Sequence, residues 1–252
     1  MAKTRIFLES GAVAGEMVEL PAAEARHIFK VLRAREGETI EMVNPDRSLM
    51  LAEVYGDARR AEAGVLEELA APDAPRVRVT LYQAVPKGKH MDLVVEKATE
   101  LGVERIVPLL TQNGEVRPGG DKADRWRRLA EAAARQSLQF RVPEVSDPGG
   151  LREAVEGLRG RGETGVMLHN EAGLPALEEA ISTEGPVALF VGPEGGWSEG
   201  ELSLARDLGV RAAQMGPYRL RAETAGVVAV ARAEARLRGL GSLADGGIQE
   251  AT

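Results

Sequence analysis

Phe190-Val191-Gly192-Pro193-Glu194-Gly195-Gly196 and Met215-Gly216-Pro217-Tyr218-Arg219-Leu220-Arg221-Ala222-Glu223-Thr224-Ala225 set the fold class of this chain. Each places a Gly-Pro turn directly after a short apolar run and before a segment that reads as helix. Two loops rich in backbone groups therefore leave the same edge of a sheet, the edge at which open α/β proteins bind ligands. The second loop also carries a cation and a carboxylate, Arg221 and Glu223.

The same alternation extends through the C-terminal two thirds of the chain. Strands are expected at 77–85, 105–110, 165–168, 187–191 and 212–215, and helices at 90–101, 121–137, 151–158, 174–181, 198–208 and 222–238. Strands interleaved with helices imply a mostly parallel α/β sheet with flanking helices. Upstream the pattern differs. Residues 5–8, 17–20, 39–43, 50–55 and 64–69 are short, bounded by turn residues, and read as strands. One helix interrupts them, with Pro21 in its first turn and Gly37 past its end. That combination fits a small barrel with one helix. Residues 70–75, Ala-Ala-Pro-Asp-Ala-Pro, read as a linker, so two domains are expected, 1–72 and 73–252, with a frayed glycine-rich tail from Leu240.

Composition narrows the chemistry. The 252 residues are 44% hydrophobic, enough for a substantial core, and no apolar run approaches a membrane span. Met1-Ala2-Lys3-Thr4-Arg5 lacks the apolar stretch of a secretory leader, so a cytoplasmic protein is expected. There is no cysteine. Disulfides, thiolate zinc sites, iron–sulfur ligation and a cysteine nucleophile are excluded, and with them methylation of pyrimidine carbon 5 through thiolate attack. The three histidines, His27, His90 and His169, are too scattered to suggest a metal cluster. A net charge of −7 argues mildly against a nucleic-acid partner, but phosphate responds to local patches rather than to the total.

Residues 192–196 offer several N–H groups with no side chain in the way. Ser198 and Glu201 form a capping-box pattern for the next helix. A tight strand-to-helix turn reads equally well. Neither Gly-x-Gly-x-x-Gly nor Gly-Lys-Ser/Thr occurs, which disfavours a dehydrogenase and a phosphate loop. At the start of the last helix Glu223 suits the helix dipole and Thr224 can cap or touch a ligand, whereas Arg221 is less expected there. The pair can stabilise a developing anion and handle a proton, or be an ordinary surface ion pair. Arg26, Lys30 and Arg33 fall at i, i+4 and i+7, with His27 and Arg35 at the edges and Ile28, Val31 and Leu32 opposite: a face for phosphates, or a solvated face. Lys87-Gly88-Lys89 ends a strand at the ligand edge. Ala225, Ala229 and Ala233 permit close helix packing, in the core or across a dimer seam.

Taken together these residues resemble the RsmE family of ribosomal RNA uridine-N3 methyltransferases, within the SPOUT superfamily. The resemblance spans nearly the whole chain. It rests on His27 with Val31-Leu32-Arg33, on Lys87-Gly88-Lys89-His90-Met91, and on Lys97-Ala98-Thr99-Glu100-Leu101-Gly102. It continues with Arg141-Val142-Pro143-Glu144, the 192–196 loop and Leu220-Arg221-Ala222-Glu223-Thr224. It implies an N-terminal PUA-like RNA-binding barrel, a C-terminal trefoil-knotted domain that holds S-adenosylmethionine, and a homodimer. It implies a small-subunit (16S) ribosomal RNA substrate, free or in the assembled small ribosomal subunit, and no metal. The cofactor would lie against Leu168, His169, Gly192, Pro193, Glu194, Gly195, Gly196, Met215, Gly216, Tyr218, Leu220, Thr224 and Ala225. Arg221 and Glu223 would be catalytic, and Arg5, Arg26, His27, Lys30, Arg33, Lys87 and Lys89 would meet RNA. The chain departs from the family at Leu138-Gln139, where Gly-Arg is usual, and at Tyr218, where arginine often follows Gly-Pro. A knotted ribose 2′-O-methyltransferase and a non-catalytic RNA-binding assembly factor are the alternatives.

Overall fold

Period-two alternation builds the first of two units. Strands β1 (Arg5–Phe7), β2 (Met17–Leu20), β3 (Thr39–Val43), β4 (Leu49–Gly56) and β5 (Ala61–Leu69) pair in the order β1-β3-β4-β5-β2. The β1–β3 pair is parallel and the others are antiparallel. β5 starts earlier than expected because Ala61, Ala63 and Val65 all point inward, and a register shift at Leu51/Ala52 bends β4 against it. Ile6, Leu20, Ile28, Ile40, Met42 and Val54 close over one core. This computed structural model describes residues 5–70 and 78–239. The expected linker beyond Ala70, residue 77 of the following strand, the leader reading at residues 1–4 and the tail from Leu240 lie outside the described residues.

The single long helix expected between Pro21 and Gly37 does not form. α1 covers only Ala22–Arg26 and passes into one wider π turn at His27–Val31, closed by Leu32 N–H donating to the His27 carbonyl at 3.0 Å. Arg33 then sits at φ 57°. The wider turn advances the helical phase, so only Ile28 of the expected apolar face is buried. Val31 and Leu32 are turned out, 67% and 43% exposed. Arg26, Lys30 and Arg33 are exposed too, but on a broken turn rather than one continuous stripe.

Among the described residues, the first unit comprises 5–70 and also 131–142, and the second comprises 78–130 and 143–239. The inserted segment explains Arg5. Expected at an RNA surface, Arg5 is buried: its guanidinium pairs with the Glu41 carboxylate, donates to the carbonyls of Leu138 and Gln139, and lies 4.5 Å over the Phe140 ring. Arg135 likewise donates to Glu24, at 2.6 Å and 2.5 Å. Buried cations need such partners, and here the partners come from a distant part of the sequence.

In the second unit, which takes α3 only as far as Ala130, the elements are β6 (Val79–Ala84), α2 (His90–Glu100), β7 (Arg105–Leu110), α3 (Asp121–Gln136), β8 (Glu144–Val145), β9 (Gly149–Gly150), α4 (Leu151–Glu156), α5 (Leu158–Arg161), β10 (Thr164–Leu168), α6 (Leu177–Ala180), β11 (Val187–Val191), α7 (Glu199–Asp207), β12 (Arg211–Ala213) and α8 (Ala222–Leu237). Every strand pair is parallel, in the order β12-β10-β11-β6-β7, with β8 and β9 succeeding each other along the outer edge of β7. β6 and β11 are buried at every residue, as strands covered on both faces must be, and β6 takes the polar Thr80 and Gln83 into the interior with it. Tyr82 and Phe190 stack across them at 4.5 Å. The Tyr82 hydroxyl donates to Glu163 at 2.9 Å and accepts from Arg105 and Arg161. Burial, and then the Glu163 charge, push its phenol up to about 12. After β12 the chain returns from the edge of the sheet, and α8 packs on the central strand β6 and on α2. No helix among the described residues is long and apolar enough to cross a membrane.

Candidate functional site

Three strands, β10, β11 and β12, end side by side, and the chain leaves each by a loop that does not continue the sheet. After Val191, Gly192-Pro193 stops the strand, since proline has no N–H to donate. Gly196 lies at φ 73° and Gly216 at φ 125°, conformations that only glycine adopts without strain. A cavity of about 490 Å³ opens between these loops and the first turn of α8.

Its floor is apolar, from Leu168, Val191, Trp197, Ala213 and Met215. Trp197 is 7% exposed and its indole N–H donates to the Leu168 carbonyl at 2.9 Å, joining the end of β10 to the loop after β11. Gly192 lies directly against that ring: a Cβ there would sit 3.0 Å from the indole. Ser198 and Glu201 make the reciprocal capping box that fixes the start of α7, and Glu201 also accepts from Gln112 N–H at 2.8 Å. Asn113 donates to the Gly196 carbonyl at 3.1 Å. The two glycine loops are tied to each other by Arg219, which donates to the Glu194 carbonyl at 2.6 Å. Arg232 holds the Met215 carbonyl at 2.8 Å, and its ion pair with Glu178 keeps the Glu178 carboxyl below the usual carboxylate range.

Of the residues that the resemblance assigns to the cofactor, Leu168, His169, Gly192, Pro193, Glu194, Gly196, Met215, Gly216, Tyr218, Leu220 and Ala225 border the cavity. Gly195 and Thr224 do not. Gly195 backs onto Asn113, and Thr224 is exposed on the far side of the first turn of α8. Asn170, Val191, Trp197 and Ala213 join the lining outside those assignments, and Arg219 and Ala222 line it from the 215–224 loop. Of Asn170, Trp197 and Ala213 only Trp197, beside the glycine run, carried a signal in the sequence.

Arg221 and Glu223 do not act as a pair. Arg221 is exposed at the cavity mouth, and no hydrogen bond or ion pair holds its guanidinium among the described residues. Glu223 is 6% exposed and does not border the cavity; its Oε1 lies 3.5 Å from Nδ1 of His90 on α2. Positions two apart at a helix start differ by about 200° in direction, so the side chains diverge. Lys87 is engaged as well: its amine meets Glu115 at 2.8 Å, and that hydrogen bond raises its pKa, while its N–H donates to Glu194 at 3.0 Å. Lys89 is exposed. In the first unit, Arg26, Lys30 and Arg33 have no ion pair among the described residues, and His27 is half-buried.

The result is an apolar chamber whose polar lining includes Arg219, Arg221 and Glu194. α8 has no side-chain cap, so its opening N–H groups add positive potential beside Arg221. Such a chamber takes a flat, partly apolar ligand and favours negative charge at its mouth.

A family model described as an RNA methyltransferase domain matches residues 72–234. The chain is 30% identical over 223 residues to a ribosomal RNA small subunit methyltransferase E of Synechocystis sp., covering 87% of this chain and 73% of that one. It is 31% identical over 224 residues to the protein of the same name in Mycobacterium bovis, covering 86% and 85%. Among solved structures, ribosomal RNA small subunit methyltransferase E of Neisseria gonorrhoeae, bound to S-adenosyl methionine, aligns with a TM-score of 0.84 at 31% identity, over 91% of this chain and 96% of that one.

Proposed function

The chain belongs to the ribosomal RNA small subunit methyltransferase E family, and from that premise we propose that it methylates N3 of a uridine in small-subunit (16S) ribosomal RNA, with S-adenosylmethionine as donor. The observation that carries this reading is the convergence of two glycine-bearing loops on one chamber with an unpaired Arg221 at its mouth. The chamber suits the donor. Its floor is apolar, and at Gly192 a side chain would collide with Trp197, so main chain rather than side chain faces the ligand. Residues 192–194 and 196 and the main chain of 215–220, with Leu168, His169 and Ala225, would hold it. When bound, S-adenosylmethionine supplies a methyl group on a sulfonium, an electrophile that needs no metal.

The protein's own task is the nucleophile. Uridine N3 carries a proton, and the base becomes reactive once that proton leaves and charge spreads onto the carbonyl oxygens. Arg221, unpaired and beside the open N-terminus of α8, is placed to stabilise that charge. Glu223 faces His90 and borders no part of the cavity, so it does not orient Arg221. The loops contribute by holding donor and base in register, which can supply a large part of the acceleration. N3 lies on the pairing edge, so the target base must be unpaired or flipped.

The wider reading is a PUA-like RNA-binding barrel in residues 1–72, a trefoil-knotted catalytic domain in 73–252, and a homodimer working in the cytoplasm on ribosomal RNA or the assembled small subunit. The sheet coiled over one core supports the first, and the return of α8 from the β12 edge to β6 supports the second. Arg26, Lys30 and Arg33 are the exposed cations for RNA. The test is mass spectrometry of nucleosides from 16S ribosomal RNA of cells with and without this protein, alongside calorimetry with S-adenosylhomocysteine. N3-methyluridine that disappears with the protein supports the proposal. A ribose-methylated product, or no binding of S-adenosylhomocysteine, overturns it.

A further inference from the structure

Tyr218 borders the cavity yet is 83% exposed, far more than any other large apolar or aromatic side chain of the site. Its hydroxyl has no hydrogen-bond partner among the described residues, and its ring joins no aromatic pair. Leaving a tyrosine ring in water forfeits the burial that normally repays an aromatic side chain. The position is nevertheless well held. Gly216 at φ 125° turns the chain outward just before it, and Arg219 just after it is tied to the Glu194 carbonyl. An aromatic plate with no task in the fold thus stands on an anchored loop at the rim, where binding residues concentrate.

We propose that the Tyr218 ring is the stacking platform for the uracil that receives the methyl group, an inference that rests on the function proposed above. A ligand that covers the floor at Val191, Ala213 and Trp197 would leave much of a ring this exposed in water, and a second group at the mouth would cover it. A flipped pyrimidine is such a group: it brings a π face in search of a partner and carbonyl oxygens in search of a cation. Tyr218 and Arg221 supply one of each on the same rim. Stacking of single-stranded bases on aromatic side chains is the usual way proteins hold a splayed nucleotide. Tyr218 is on this reading a substrate-positioning residue.

The experiment compares wild type, Y218F and Y218A in methyl transfer from labelled S-adenosylmethionine to small ribosomal subunits lacking the modification. Dissociation constants for S-adenosylhomocysteine, melting temperatures and molar mass by light scattering are measured on the same preparations. Y218A should raise KM for the subunits by about ten- to a hundred-fold, with a much smaller change in kcat, and Y218F should restore it. S-adenosylhomocysteine affinity, melting temperature and molar mass should stay at wild-type values. An unchanged KM in Y218A overturns the inference alone. So does a parallel loss of S-adenosylhomocysteine affinity, which would make the ring a platform for the donor's adenine, or a fall in molar mass, which would make it a subunit contact. A wild-type chain that neither binds S-adenosylhomocysteine nor methylates the subunits overturns the function proposed above, and this inference with it.

Discussion

Trp197→Phe tests whether the floor of the chamber is held as described. The change removes the indole N–H that reaches the Leu168 carbonyl at 2.9 Å, and one ring of a side chain that is 7% exposed. A buried hydrogen bond is worth about 1 kcal/mol net. The lost ring leaves a void of roughly 40 Å³, which at about 24 cal/mol per Å³ adds about 1 kcal/mol. The total of about 2 kcal/mol corresponds to a fall of about 4–8 °C in melting temperature for a chain of this size. Because Leu168 and Gly192 both border the chamber and both lean on this ring, affinity for S-adenosylhomocysteine should drop by about tenfold as well, the equivalent of about 1.4 kcal/mol. Calorimetric melting and titration measure both quantities. Trp126→Phe is the matched control: its indole donates to Asp92 at 3.1 Å and borders no part of the chamber. It should lower melting temperature and leave the affinity intact. If Trp197→Phe melts within about 1 °C of wild type, or loses stability with no loss of affinity, the coupling between indole and chamber is refuted.

Arg221→Ala should lower turnover by about two to three powers of ten with S-adenosylhomocysteine affinity nearly unchanged, because an exposed, unpaired guanidinium supports the reaction and not the fold; rapid-quench turnover at saturating donor decides it. Replacing Arg26, Lys30 and Arg33 together by alanine should weaken RNA binding and flatten its salt dependence by about 0.7–0.9 in slope for each phosphate that is no longer neutralised; an identical slope in wild type and variant would return those residues to a solvated face. The Glu178 carboxyl is held below its ordinary value of 4.5 chiefly by its hydrogen bond from Arg232. Its contribution is therefore complete above that value and fades as pH falls through the folded one. Wild type should out-melt Glu178→Gln at neutral pH, with the gap closing as pH falls below 4.5; a gap independent of pH would sink the assignment.

Much of this molecule was legible in its residues because the signals were local. Continuous apolar runs at β10 and β11 report strands buried on both faces, and glycine with proline at their ends reports where the sheet must stop. A strand end, a turn and a helix cap involve neighbours in the chain, so the chamber's loops could be read without knowing their partners. The breaks in that reading share one cause. Helical phase holds only while the helix stays α, and the π turn at His27–Val31 moved Val31 and Leu32 into solvent.

Arg5 looks like any exposed cation until Glu41 and the carbonyls of Leu138 and Gln139 close around it. Arg221 and Glu223 look like a pair until α8 begins between them and sends one to the chamber and the other to His90. Chain order alone carried the alternation and the two glycine loops. The tertiary structure alone decided strand order, which cations are buried and which carboxylate meets which base. Burial and ion pairing depend on distances between segments far apart along the chain, and no short-range pattern encodes those.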